Sequence, residues 1–168
     1  ERRASSMILW GPPGSGKTTL AKIIAEYVNM NFVSLSAVFS GVSDLRRVFD
    51  KAIERKKIGE ETLLFVDEIH RFNRAQQDSF LPFVEDGTVV LVGATTENPS
   101  FELNSALLSR CKVFILEKIA RAGLEHLVKR AEKLEGKELP LKQEARDALL
   151  SMADGDGRFL LNMTEELF

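Results

Sequence analysis

The stretch Met7-Ile8-Leu9-Trp10-Gly11-Pro12-Pro13-Gly14-Ser15-Gly16-Lys17-Thr18 decides the fold. Four apolar residues run into Gly-x-x-x-x-Gly-Lys-Thr, and a helical pattern opens directly behind it. A strand, a glycine-rich turn and a helix start, in that order, make a phosphate-binding loop. The glycines let the backbone curl so that its N–H groups point at phosphate oxygens, and the helix start adds its positive end. The pattern places Gly11, Pro12, Pro13, Gly14, Ser15, Gly16, Lys17, Thr18 and Thr19 around a bound nucleotide. Lys17 is expected on the β- and γ-phosphates and the Thr18 hydroxyl on Mg2+. Thr19 also carries a hydroxyl, but the pattern gives the metal to Thr18. A glycine-rich turn without a ligand is the competing reading, and the strand–loop–helix context argues against it.

Outward from this loop, short apolar runs alternate with helical stripes. Met7–Trp10, Phe32–Leu35, Thr62–Val66, Val89–Ala94 and Val113–Leu116 read as strands. Lacking polar alternation, they suit strands buried on both faces. Leu20, Ile23, Ile24, Tyr27 and Val28 recur at helical spacing. Leu45, Val48, Phe49, Ala52 and Ile53 repeat it, with Ser43 available as N-cap. Phe72, Ala75, Ser79, Phe80 and Phe83 give a looser stripe. Such alternation predicts an α/β fold, a five-stranded parallel sheet flanked by helices.

The third strand ends in Asp67-Glu68. Behind a phosphate-binding loop, Asp67 is expected in the Mg2+ shell and Glu68 as the general base for the attacking water. A helix-capping Asp67 beside a solvated Glu68 is the plainer alternative. Asp67-Glu68-Ile69-His70 also matches the Asp-Glu-x-His string of helicases, but those need a second sheet domain that this chain is too short to hold. His70 therefore reads as a structural or helix-start residue.

After about Lys118 the texture changes to helix alone. Leu124, Leu127, Val128, Ala131 and Leu134 form one face, and Ala145, Ala148, Leu149 and Met152 a second. Leu160, Leu161, Thr164 and Leu167 form a third, with Gly136, Pro140, Gly155 and Gly157 as punctuation. The expected organisation is a P-loop ATPase domain over 1–118 and a helical lid over 119–168. The lid is expected to be incomplete, because its last stripe has no terminator.

Composition adds boundaries. Of 168 residues, 44% are apolar and 29% charged, and the net charge is −2. Residues 1–118 carry 15 basic and 15 acidic side chains, and 119–168 carry 8 and 10, so charge gives no global argument for nucleic acid. Arg46, Arg47, Lys51, Arg55, Lys56 and Lys57 suggest a DNA patch, but a solvated amphipathic helix face explains them without any ligand and is the preferred reading. No apolar run approaches the roughly 20 residues of a membrane span. No secretory leader is expected either, because Glu1-Arg2-Arg3-Ala4 leads into no apolar stretch of adequate length and no small-residue cleavage site. The single Cys111 excludes an intrachain disulfide, suits a reducing cytoplasm and reads as a half-buried strand residue.

Three longer strings carry a resemblance. Phe65-Val-Asp-Glu-Ile-His-Arg-Phe-Asn-Arg-Ala-Gln-Gln-Asp78, Gly93-Ala-Thr-Thr-Glu-Asn-Pro-Ser-Phe-Glu-Leu-Asn104 and Leu107-Leu-Ser-Arg-Cys111, with Trp10-Gly-Pro-Pro-Gly14, resemble the replication-associated recombination protein A family. That family includes the Werner-helicase-interacting ATPase and belongs to the clamp-loader branch of the AAA+ ATPases. The resemblance implies ATP and Mg2+ as ligands. It implies Thr96 as the sensor at the end of the fourth strand, with Thr95 as second choice. It also implies Arg110 as a finger entering a neighbouring subunit's site, Arg158 as the lid's phosphate sensor, and Ser36 as a polar restraint on Glu68. The bland readings are a turn hydroxyl for Thr96, a surface charge for Arg110 and a solvated helix residue for Arg158. In relatives an adenine-binding segment precedes the first strand and a C-terminal domain builds the ring; Glu1–Ser6 alone stand before the first strand here.

Implied for the whole protein are a homo-oligomeric ring, forked or single-stranded DNA and replication proteins such as single-strand-binding protein as partners. No membrane is implied, and the cytoplasm, at the nucleoid in a bacterium, is the expected location. The resulting function is a DNA-dependent ATPase in replication-fork maintenance, recombination and repair. Two alternatives stand beside it. A protein unfoldase would need an aromatic pore loop, and Ala37-Val38-Phe39-Ser40-Gly41-Val42 offers only Phe39. An ATPase-dead scaffold subunit would lose residues that this chain keeps, namely Lys17, Thr18, Asp67, Glu68 and Arg110.

Overall fold

Five apolar runs pair side by side in the computed structural model, which describes residues 4–168. Residues 1–3, part of the stretch over which no leader is expected, lie outside the described residues. The strands are β1 (Met7–Trp10), β2 (Asn31–Ser36), β3 (Thr62–Asp67), β4 (Val90–Thr95) and β5 (Lys112–Ile115), all parallel in the order β2-β3-β4-β1-β5. Register aligns their carboxyl ends. Trp10 pairs with Thr95 and Ile115, and Ser36 with Asp67. In open parallel sheets ligands gather at that edge.

The helices are α1 (Lys17–Val28), α2 (Val42–Lys57), α3 (Arg74–Asp78), α4 (Leu81–Glu85), α5 (Pro99–Glu102), α6 (Ser105–Leu108), α7 (Arg121–Glu135), α8 (Gln143–Ala153) and α9 (Gly157–Leu167). Two compact units result. One runs to Trp10 and resumes over Lys17–Ile115; the other joins Gly11–Gly16 to Leu116–Phe168.

In the sheet unit, β3 and β4 are apolar and almost wholly buried, as their unbroken runs imply. Expectation and structure part at the sheet edges. β2 is half-buried, and all four residues of β5 are exposed. An apolar run tells that a strand forms, not whether neighbours cover it. Cys111 is half-buried, as expected, but sits just before β5 rather than in it.

One face of the sheet carries a core of Ile8, Leu45, Phe49, Leu64, Val66, Phe72, Phe80 and Leu91. Phe49 anchors it, stacked on Phe83 at 4.0 Å and edge-on to Phe80 at 5.5 Å. The stripe on α2 holds, but its N-cap is Gly41 rather than Ser43. The Asp44 carboxylate accepts the Gly41 N–H there at 2.9 Å.

The loose stripe after β3 is not one helix. It breaks into a 3-10 turn (Ile69–Arg71), α3 and α4, with Pro82 in the first turn of α4. On α1 the buried residues are Lys17, Ala21 and Ala25, while Leu20, Ile23 and Tyr27 are exposed. Small side chains let a helix approach a sheet closely, so the alanines face inward and the larger apolar residues turn out.

In the helical unit, Leu124, Val128, Leu139, Leu149, Leu150, Ala153 and Leu160 make a separate core. Its α8 face is rotated from the expected one. Leu149, Leu150 and Ala153 are buried, while Ala145, Ala148 and Met152 are exposed. Arg146 turns inward with that face, to Glu132 at 2.7 Å and Glu125 at 3.0 Å.

Candidate nucleotide site

Backbone conformation shapes the phosphate loop. Gly14 and Gly16 have φ of 67° and 91°, a region L side chains rarely enter. The Ser15 hydroxyl donates to Pro12 O at 2.8 Å and ties the turn together. Gly14 is also crowded. A Cβ there would lie 1.8 Å from Asp156 Oδ1, and the Gly157 N–H donates to Gly14 O at 3.2 Å. The start of α9 is thus packed on the phosphate loop within the helical unit. Asp156 caps that helix, its Oδ1 accepting from the Arg158 and Phe159 N–H groups at 2.9 Å each. Arg158 stands in the first turn of α9 and is exposed.

The sheet unit holds the remaining candidate residues. Lys17 opens α1 and is only 8% exposed; Thr18 follows, half-buried, and Thr19 is exposed. Asp67 closes β3, half-buried at the carboxyl edge. Glu68 stands next, with φ 52° and ψ 43°. A non-glycine residue in this left-handed region costs on the order of 1–3 kcal/mol, a strain found mainly where function holds it. The conformation turns the chain sharply from strand into the 3-10 turn.

Glu68 has a partner that its sequence role did not suggest. His70 Nε2 stands 3.3 Å from Glu68 Oε2, and His70 Nδ1 stands 2.8 Å from Thr95 Oγ1. The His70 side chain is 7% exposed. Among the described residues no hydrogen bond joins the Ser36 side chain to Glu68; Ser36 O instead accepts from Phe39 and Ser40 N–H. The Asp-Glu-x-His string was the available signal for this contact, but only the sheet register brings Thr95 to it. Thr95 is fully buried at the end of β4, and Thr96 lies one residue beyond, half-buried.

The Gly93–Asn104 string also builds scaffold. Asn98 and Asn104 cap α5 and α6, and the buried Gln77 amide bonds Phe72 O, Glu102 O and the Asn104 N–H. Arg110 is folded back on its own chain. Its guanidinium pairs with Glu85 and donates to Ala106 O at 2.7 Å. The basic residues of α2 do not converge. Lys56 bonds Asp86 O and Thr88, Arg47 leans on Asp44, and Arg46 and Lys51 are exposed.

The donor set suits Mg2+ arriving with phosphates. No group of three or more His, Cys, Asp and Glu side chains able to hold a metal occurs among the described residues. A hydroxyl and one carboxylate, Thr18 and Asp67, are what that ion uses when phosphates and water fill the rest of its shell.

Comparison with known proteins identifies the family and the fold. Residues 7–118 match the ATPase family associated with various cellular activities (AAA). The chain is 49% identical over 165 residues to replication-associated recombination protein A of Escherichia coli (strain K12), covering 95% of this chain and 37% of that protein. It is 52% identical over 164 residues to the ATPase WRNIP1 of Dictyostelium discoideum, covering 95% of this chain and 19% of that one. The chain therefore spans well under half the length of these relatives. Among solved structures, the Thermotoga maritima RuvB Holliday junction branch migration motor matches with a TM-score of 0.74 at 31% identity, over 96% of this chain and 53% of that one. The resemblance read from the motif strings thus holds along nearly the whole chain.

Proposed function

Since this chain belongs to the AAA family of ATPases, we propose that it hydrolyses ATP as the core of a ring-forming, DNA-stimulated motor in replication-associated recombination and repair. One observation carries the ATPase reading. Asp67 ends the buried inner strand β3 and Glu68 follows it directly, in the unit that also holds the buried Lys17 and the half-buried Thr18. The DNA role rests on the names of the relatives, a recombination protein and a branch migration motor.

In the proposed reaction a water oxygen bonds to the γ-phosphorus as the bond from phosphorus to the β–γ bridging oxygen breaks. Glu68 takes the water's proton. Lys17 and the loop N–H groups offset charge on the phosphate oxygens. Thr18 and Asp67 would hold Mg2+, which when bound neutralises part of the same charge. Thr96 would orient the water or the γ-phosphate, and Arg158 would act as a sensor of the phosphates held on the loop of its own unit. Arg110 would act in a neighbouring subunit, exchanging Glu85 for that neighbour's γ-phosphate. The protein would work in the cytoplasm, in contact with single-strand-binding protein or similar replication proteins.

A second reading has one observation in its favour. Phe39 is 89% exposed on the loop after β2, flanked by the exposed Val38 and Val42. An apolar loop of this kind would suit a motor that grips polypeptide. The deciding experiment is the steady-state ATPase rate of the full-length protein with forked DNA, with single-stranded DNA and with an unfolded protein. Stimulation by DNA supports the motor proposed; stimulation by unfolded protein alone overturns it and leaves the ATPase core.

A further inference from the structure

Glu68 and Thr95 lie far apart in sequence, yet one imidazole touches both side chains. His70 Nδ1 is 2.8 Å from Thr95 Oγ1 and its Nε2 is 3.3 Å from Glu68 Oε2. The Thr95 hydroxyl has a defined role in this chain of contacts. It accepts the Glu97 N–H at 3.0 Å, which leaves its own proton for His70 Nδ1 or for Glu97 O at 3.2 Å. A neutral imidazole accepting at Nδ1 carries its proton on Nε2 and presents it to the Glu68 carboxylate. The pieces are well anchored. Thr95 is fully buried, Ile69 is fully buried, and the 3-10 turn is closed by the Arg71 N–H donating to Glu68 O at 2.8 Å. A Cβ on Gly93 would lie 2.9 Å from Ile69 Cδ1, so glycine in β4 is what lets this turn sit so close to the strand.

We propose that His70 is a positioning residue for the reaction, holding the Glu68 carboxylate and coupling it to Thr95 at the end of the strand that leads into Thr96. The proposal rests on Glu68 being the general base. Because the Thr95 hydroxyl has two acceptors within reach, a shift of the Thr95–Glu97 turn would change what His70 offers Glu68. The state of the phosphate-facing strand end would thereby reach the base through one ring.

The test uses the full-length protein with saturating DNA and ATP, comparing His70→Ala, His70→Gln, Thr95→Val, the double variant His70→Ala/Thr95→Val, and Glu68→Gln. Glutamine keeps an acceptor and a donor on one flat group. Expected are a fall in kcat of about tenfold for His70→Ala with KM for ATP within about twofold, substantial recovery in His70→Gln, and a double variant no slower than His70→Ala alone. Unchanged kcat in His70→Ala beside an inactive Glu68→Gln overturns the proposal and leaves the base assignment standing. So do losses that multiply in the double variant, or a His70→Gln variant as slow as His70→Ala. An active Glu68→Gln instead removes the base assignment itself, and the proposal with it.

Discussion

At the residue scale, the proposed general base stands where a local backbone rule is broken. Glu68 holds a left-handed backbone without being glycine, and it comes directly after a buried strand. A carboxylate in that place suits proton abstraction, so Glu68→Gln is expected to lower kcat by at least ~100-fold while nucleotide still binds. Single-turnover hydrolysis beside a fluorescent-nucleotide titration checks both halves. Cys111 makes a contrasting case. Burial among core side chains pushes its thiol up to about 11, so almost none is thiolate at neutral pH. Iodoacetamide at pH 8 is expected to label the native protein far more slowly than the denatured protein, as mass spectrometry would show.

At the element scale, the start of α9 is the contact that builds the phosphate loop's surroundings in the helical unit. Asp156 caps α9 and also presses on Gly14. Asp156→Ala is expected to cost about 1 kcal/mol in cap energy, visible as a lower Tm by circular dichroism. Gly14→Ala is expected to cost about 1–2 kcal/mol in backbone strain alone and to displace Asp156. ATP binding should then weaken by roughly tenfold, measured by titration. The α7–α8 pairing sets an acid limit. The Arg146 guanidinium hydrogen-bonds the Glu132 carboxylate and holds it below its usual value near 4.5. A lowered folded value means the contribution is full above about 4.5 and is lost as pH falls through the folded value. Wild type should therefore lose more Tm than Glu132→Gln between pH 6 and pH 3, followed by thermal melts across that range.

At the scale of the whole molecule, the proposed ring makes activity a property of neighbours. Arg110 rests on Glu85 of its own chain. If Arg110 acts in trans, Glu68→Gln and Arg110→Ala full-length proteins are each nearly inactive, the second by on the order of 10³-fold. Mixing them should restore hydrolysis, because some interfaces then join an intact base to an intact finger. A mixture as inactive as its parts would remove the trans role. The periodicities in the chain determined by themselves that five strands and a helical tail form, and the loop and acidic strand end are what point to the proposed chemistry. They did so because strand runs, glycine turns and Gly-x-x-x-x-Gly-Lys-Thr are local requirements of backbone and phosphate. Tertiary structure alone decided which face of α1 and α8 is buried, that β5 is uncovered, and that His70 meets both Glu68 and Thr95. Those outcomes depend on how near a helix can approach a sheet and on which strands are neighbours. In the order β2-β3-β4-β1-β5, β3 lies beside β4, and that adjacency brings the end of one strand to the turn after the other.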